Sequence, residues 1–186
     1  MNNLVKLAFA AFVFLSANLA YAQMEKTVEV GGAPMYPSKN IVENAVNSAD
    51  HTTLVAAVKA AGLVETLQGK GPFTVFAPDN AAFDKLPKGT VETLLKPENK
   101  GQLTSVLTYH VVAGKMGSKE IAAAIKKGDG KATLTTVQGG RLTAWMKGKD
   151  LYITDENGGQ SKVTIADVWQ SNGVIHSVDT VVLPKM

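Results

Sequence analysis

The chain of 186 residues contains no cysteine. That excludes disulfide bracing, a lipid anchor on cysteine and every thiolate metal site, so the fold has to hold by packing and hydrogen bonding alone. Histidine is scarce too. His51, His110 and His176 show no close pairing such as H-x-x-x-H, so no metal centre or other cofactor is expected. Aromatics make up only 6% of the residues and are not interleaved with a basic stripe, and Lys is scattered among Glu and Asp. With a formal net charge of just +3, nucleic acid is not an expected partner. There is no G-x-S-x-G elbow and no phosphate-loop glycine run. Asp155-Glu156-Asn157-Gly158-Gly159 lacks the further oxygen ligands and closing Glu of a calcium loop and reads as a hairpin turn. The longest apolar run, Leu7 to Leu15, falls short of the roughly 20 residues that span a membrane.

That short run, preceded by Lys6 and followed by Ala20-Tyr21-Ala22, has the layout of an export signal with a small-x-small cleavage site. The expected organisation is a signal peptide over residues 1–22, a Gly/Pro-containing arm without usable periodicity over 23–37, and one domain over 38–184. One core is the default at this length. The expected product is a secreted or periplasmic monomer that does not span the membrane once its signal is removed.

Apolar residues recur at helical spacing after Ser38, a candidate N-cap, with Ile41, Val42, Ala45 and Val46 on one face, and again through Leu54, Val55 and Val58. Thr90 can cap a further helix, Leu103, Val106 and Leu107 continue the apolar face, and Ser118 opens a helix that Gly128 stops. From Lys131 the period changes from 3.6 to 2. Leu142, Ala144 and Met146 alternate with Thr143 and Trp145, and Gly139-Gly140, Gly148 and Asn157-Gly158-Gly159 punctuate hairpins. Helices first and strands later, with an early strand at Phe73 that needs partners, give an α+β domain with helices on one side of the sheet.

Two stretches stand out. Gly71 to Phe83 runs a β-prone segment, Phe73 to Phe76, into Pro78 and the helix caps Asp79 and Asn80; Ser171 to Pro184 turns at Asn172-Gly173 and alternates to Asp179. Together they resemble the signatures of fasciclin-type domains. The first block is matched by Thr74, Phe76, Ala77, Pro78, Ala82 and Phe83, and the second by Asn172, Gly173, His176, Asp179, Val181 and Pro184. Tyr109-His110 is similar to the family's Tyr-His pair, and Asp167-Val168 to its Asp-Ile element. The resemblance covers about Ser38 to Pro184. It implies a wedge of β-strands with a helical layer and a role in adhesion, through binding residues at Tyr109, His110, Asp167 and Val168. Trp169, next to that element, is the expected interaction anchor if exposed. The implied partner is a cell-surface or matrix protein, a glycan or a lipid.

Each polar residue also has a structural reading. His110 sits where a helix gives way to a strand and can satisfy backbone groups there. His176 shares a strand face with Val174 and Val178, which predicts a buried ring, whereas His51 at a helix start is expected to be exposed. Strand alternation puts His176 on the opposite face from Ser177 and Asp179, so these three form no triad. Asp79 reads as a cap, Asp84 as first-turn charge, and Asp179 as an anchor for the closing turn. The function expected is therefore non-catalytic adhesion. A periplasmic carrier for lipid or carbohydrate is the alternative, with a hydrolase third. A deep apolar cavity near Leu103 to Tyr109 would favour the carrier, and an exposed Trp169 over a filled core would favour adhesion.

Overall fold

The structure is a computed structural model and describes residues 26–185; the expected export signal lies outside them. It begins with a hairpin, Val28–Val30 (β1) against Ala33–Met35 (β2), where the sequence shows no usable periodicity. Three-residue strands are too short to display alternation, yet Val30 and Met35 are buried in the core. Asn40, rather than Ser38, caps the helix Ile41–Ala45 (α1). Its side chain accepts from the Val42 and Glu43 N–H groups, and Glu43 accepts in return from the Asn40 N–H.

A tight 3₁₀ turn, Ala49–His51, leads into Thr52–Ala61 (α2), and Val64–Gln68 (α3) follows. Phe73–Pro78 (β3) feeds Asn80–Asp84 (α4), which Asp79 caps by accepting from the Ala82 N–H at 2.7 Å. Asp84 is the last residue of that five-residue helix, not a first-turn charge. Thr90–Leu94 (α5) starts after Gly89, so Thr90 is its first residue and not its cap. Next come Lys100–Tyr109 (α6), Val111–Ala113 (β4) and Ser118–Lys127 (α7), the last ending at Gly128 as its spacing predicts. The strands Lys131–Thr135 (β5), Arg141–Lys147 (β6), Asp150–Thr154 (β7), Gln160–Gln170 (β8) and Gly173–Val178 (β9) complete the chain.

Among the described residues the main sheet has seven strands in the order β4-β3-β9-β8-β7-β6-β5. All neighbours are antiparallel except β3 and β9. A bridge between Val112 and Thr136 brings the two ends of the sheet together, so it curls into a wedge close to a barrel. Two apolar clusters follow from this shape. One lies between the sheet and the helices α1 to α6 and takes Val75 and Ala77 from β3; the other lies inside the curl, under α7, and takes Phe76. The alternation of one strand therefore feeds both cores.

Candidate functional site

The two signature stretches are neighbours in space. β3 and β9 pair in parallel with Phe73 opposite Gly173 and Phe76 opposite His176. Gly173 is required by close approach, because a Cβ there would lie 2.3 Å from the Phe73 carbonyl oxygen. Asn172 clamps three segments: its Oδ1 accepts from the Ile41 N–H at 3.0 Å, and its Nδ2 donates to the carbonyls of Leu67 and Gly69, both at 2.8 Å. Thr74 donates its hydroxyl to the Gly114 carbonyl and accepts from the Met116 N–H. Asp179 accepts from the Lys162 N–H at 2.9 Å and from the Thr180 hydroxyl. Burial works against its ionisation, but these donors and the Lys85 ammonium outweigh it and hold the carboxyl below its usual range. The polar signature residues thus spend their hydrogen bonds on the fold.

His176 does the same, with a defined tautomer. Its Nε2 meets the Met116 carbonyl at 2.9 Å and so carries the proton, leaving Nδ1 to accept from the Asp167 N–H at 3.3 Å. The ring is buried and stacks on Phe76 with centroids 5.6 Å apart, and burial lowers its pKa. His110 uses the opposite arrangement. Nδ1 donates to the Val106 carbonyl and Nε2 accepts from the Val182 N–H, with burial pushing the pKa down to about 4. Tyr109 beside it donates to the Arg141 carbonyl at 2.7 Å, and burial raises its phenol to about 12.

His51 departs from expectation: it is buried, not exposed. The turn at Ala49–His51 swings the ring inward, where Nε2 meets the Ser177 hydroxyl at 2.8 Å and Nδ1 the Ser48 hydroxyl at 2.9 Å. Ser177 therefore does have a histidine partner, from a different segment than its neighbour His176. A nucleophilic triad needs a carboxylate on the far nitrogen, and here that position holds Ser48. Burial again lowers the pKa, which keeps this ring neutral.

The surface arrangement lies one strand over. The pairing of β8 with β9 slips twice, between Val163 and Ile165 and between Ile165 and Val168. The slip leaves Asp167 at φ 60°, a conformation that Asp tolerates better than most residues. Its carboxylate accepts from both the backbone N–H and the hydroxyl of Ser118, so the bulge is fastened to the first turn of α7. Beyond it Val168 points into the core at 1% exposure while Trp169 is 38% exposed. The Lys115 ammonium lies 5.3 Å from the Trp169 ring centroid and donates to the Gln170 carbonyl. Gly117 lies flat beneath the indole, since a Cβ there would come within 2.8 Å of the ring. Of the five residues expected to bind a partner, Tyr109, His110 and Val168 are interior, Asp167 is half-buried and Trp169 reaches solvent. Lys115 and Gly117 against the ring, and Ser118 on Asp167, complete the patch; no sequence pattern brings them to it, because these contacts are long-range.

A cavity of about 90 Å³ lies between the helical layer and the sheet, with walls that include Leu54, Val58, Leu107, Val111 and Ile175. The chain thus has both of the features that the sequence sets against each other: an exposed Trp169 and an apolar cavity beside α6. No group of His, Asp and Glu able to hold a metal occurs among the described residues, and none of their helices is long and apolar enough to cross a membrane.

The chain is similar to known proteins. Residues 49–184 match the family described as the fasciclin domain. Protein sll1483 of Synechocystis sp. is 44% identical over 182 residues, covering 96% of this chain and 94% of that protein. The cell surface glycolipoprotein MPB83 of Mycobacterium bovis is 40% identical over 122 residues, covering 66% of this chain but 48% of its own length. Among solved structures, a FAS1 domain pair from the insect cell adhesion molecule Fasciclin I superimposes with a TM-score of 0.70 over 86% of this chain and 58% of that one, at 16% identity. That likeness establishes the wedge as the same fold.

Proposed function

Since the chain belongs to the fasciclin domain family, whose members include cell-surface and cell-adhesion proteins, we propose that it is an exported, non-catalytic adhesion protein that docks a cell-surface or matrix ligand on Trp169 and Asp167. The observation that carries this reading is the mounting of Trp169. A large amphipathic ring stands at the surface, braced from below by Gly117 and beside a lysine, on a bulge pinned by Asp167 and Ser118. A rigid, partly exposed Trp loses little entropy on binding, which is why such residues dominate interface energies. Tyr109, His110 and Val168 contribute from beneath, holding the strands that present the patch. In this reading residues 1–22 direct export and 38–184 form the binding domain, with the hairpin of β1 and β2 packed on it.

The test is an array of matrix proteins, glycans and lipids probed with the chain from residue 23 onward. Trp169→Ala is expected to weaken capture by about 30-fold, the loss of a hot-spot residue worth about 2 kcal/mol, with the unfolding midpoint nearly unchanged. Asp167→Ala is expected to weaken it less, through a loosened bulge. Equal capture by the wild type and both variants removes this surface from the ligand interaction.

A further inference from the structure

The outer face of the curled sheet shares no residue with the Trp169 patch. Strand parity builds it: along β5, β6, β7 and the first half of β8, residues that fill the core inside the curl alternate with residues that are exposed or half-buried. The register then sets the outward residues in rows. Lys131, Trp145, Tyr152 and Lys162 stand side by side across the four strands, a span of about 14 Å at ~4.8 Å per strand. Thr133, Thr143, Thr154 and Gln160 make the next row, and Arg141 lies beyond them opposite Thr135.

A braced aromatic pair sits in the first row. Trp145 and Tyr152 stack with ring centroids 4.8 Å apart and 20° between their planes, and the indole Nε1 donates to the Thr154 hydroxyl at 2.9 Å. Both rings are half-buried and already fixed, so a ligand lying on them has little left to order. The charge around them is mostly of one sign. Lys131, Arg141 and Lys147 form no ion pair among the described residues, while Asp150 on the same face is engaged by the Lys162 ammonium at 2.8 Å. Glu156 borders the Arg141 end, with its carboxylate beside Gly140.

Fixed aromatics, a row of hydroxyl and amide groups, and separated cations together match an acidic sugar chain. The CH faces of pyranose rings pack on aromatics, ring hydroxyls exchange hydrogen bonds with Thr and Gln, and carboxylates sit against Lys and Arg. A nucleic acid asks instead for free aromatic faces to take its bases and for a dense basic track. Here each ring covers one face of the other, and Arg141 and Lys147 stand about 20 Å apart on β6 at ~3.4 Å per residue. Cations so spread suit carboxylates separated by neutral sugars better than a densely sulfated chain. We propose that the outer face of β5 to β8 binds a uronate-bearing polysaccharide, laid over Trp145 and Tyr152 with its carboxylates at Lys131 and Arg141.

The experiment is titration of the full chain with hyaluronan oligosaccharides, in which carboxylate-bearing and neutral sugars alternate. The chain has two tryptophans, so a Trp169→Phe background isolates the emission of Trp145, and calorimetry gives the affinities of the other variants. Neutral dextran, heparin and oligothymidylate are run in parallel. Saturable hyaluronan binding that shifts Trp145 emission is expected, with each of the other three polymers bound more weakly. Trp145→Ala should weaken it about ten-fold, and Lys131→Glu and Arg141→Glu about five-fold each. The two charge reversals fall at exposed positions and report even where Trp145→Ala fails to fold. No saturable binding, equal or tighter binding of dextran, heparin or oligothymidylate, or full affinity in a folded Trp145→Ala protein or in both charge reversals overturns the proposal. Trp169→Ala should keep full affinity for hyaluronan; its loss there would move the site to the Trp169 patch, so the two readings fail separately.

Discussion

β8 and β9 are antiparallel neighbours in one sheet, and they treat their polar residues in opposite ways. β9 is buried at all six positions, and each polar group on it is matched: His176 to Asp167 and Met116, Ser177 to His51. β8 alternates cleanly only as far as Val163; its register then slips, and the slip turns Trp169 to solvent over Gly117. The regular strand carries the residues that look chemical in the sequence and uses them to hold the fold. The irregular strand carries Trp169, the anchor expected if exposed, and brings it to the surface. A bulge re-aims side chains that a straight strand would fix by parity.

The sharpest way to break this contrast is at the start of β9. Asn172→Leu removes the acceptor for the Ile41 N–H and the donor to Leu67 and Gly69, stranding two buried backbone groups and a third that is partly buried. It is expected to cost about 4 kcal/mol in urea unfolding, well beyond any substitution on the exposed part of β8. A loss under 1 kcal/mol would mean that water reaches those groups and that the clamp is not structural.

Acid should single out the buried histidines next, of which His176 lies on β9 and His51 bonds to it. His51, His110 and His176 are all shifted below the ordinary histidine value, mainly by burial, so on acidification the unfolded chain, from pH ~6.5, binds protons before the folded state does. Stability is therefore unaffected by these groups above pH ~6.5 and is lost as pH falls below it. For His110, with a folded value of about 4, the loss between pH 6.5 and 5 is on the order of 2 kcal/mol. Urea midpoints at pH 7 and 5 measure the combined effect, and His110→Gln should flatten the slope. Equal midpoints at the two values would mean that these rings are already charged in the native state.

The smallest effect is expected on β8. In Gly117→Ala the backbone, at φ −74° and ψ 174°, accepts alanine without strain, so the new methyl acts first on the Trp169 ring and the Glu120 carboxylate, the nearest groups to it. About 1 kcal/mol of stability should be lost, with a shift in Trp169 emission against a Trp145→Phe background and weaker capture on the array. Unaltered emission would mean that the indole does not rest on Gly117.

What the sequence made legible was whatever leaves a local pattern. α7 reads from Ile121 and Ile125 four apart, from Lys126 and Lys127 in its last turn and from its stop at Gly128, and the hairpins read from their glycines. The α+β class follows from the change of period at Lys131. The signature stretches mark the fold because Gly173 and Asn172 answer to backbone geometry that few other residues satisfy. Contacts made at a distance left no such trace. Ser177 meets His51, and Ser118 meets Asp167, across separations that no spacing rule covers. The inward turn of His51 leaves no sequence trace for the same reason: a histidine ahead of a helix looks exposed until a 3₁₀ turn rotates it. The hairpin of β1 and β2 has no local pattern because its burial rests on two residues, Val30 and Met35, and on Asn44 joining Tyr36 to Gln170.

The parallel pairing of β3 with β9 has a consequence in time. A strand formed at Phe73 has β4 on one side, but its other edge stays open until Gly173 and its successors arrive, almost at the end of the chain. Loop closure over that separation is slow, and the bridge from Val112 to Thr136 cannot brace a sheet whose middle is missing. A chain emerging N-terminus first therefore remains loose until its last strand docks between β3 and β8, and then sets in one late step. Under the proposed export, lateness of this kind would keep the polypeptide in a form that can pass a narrow translocation channel.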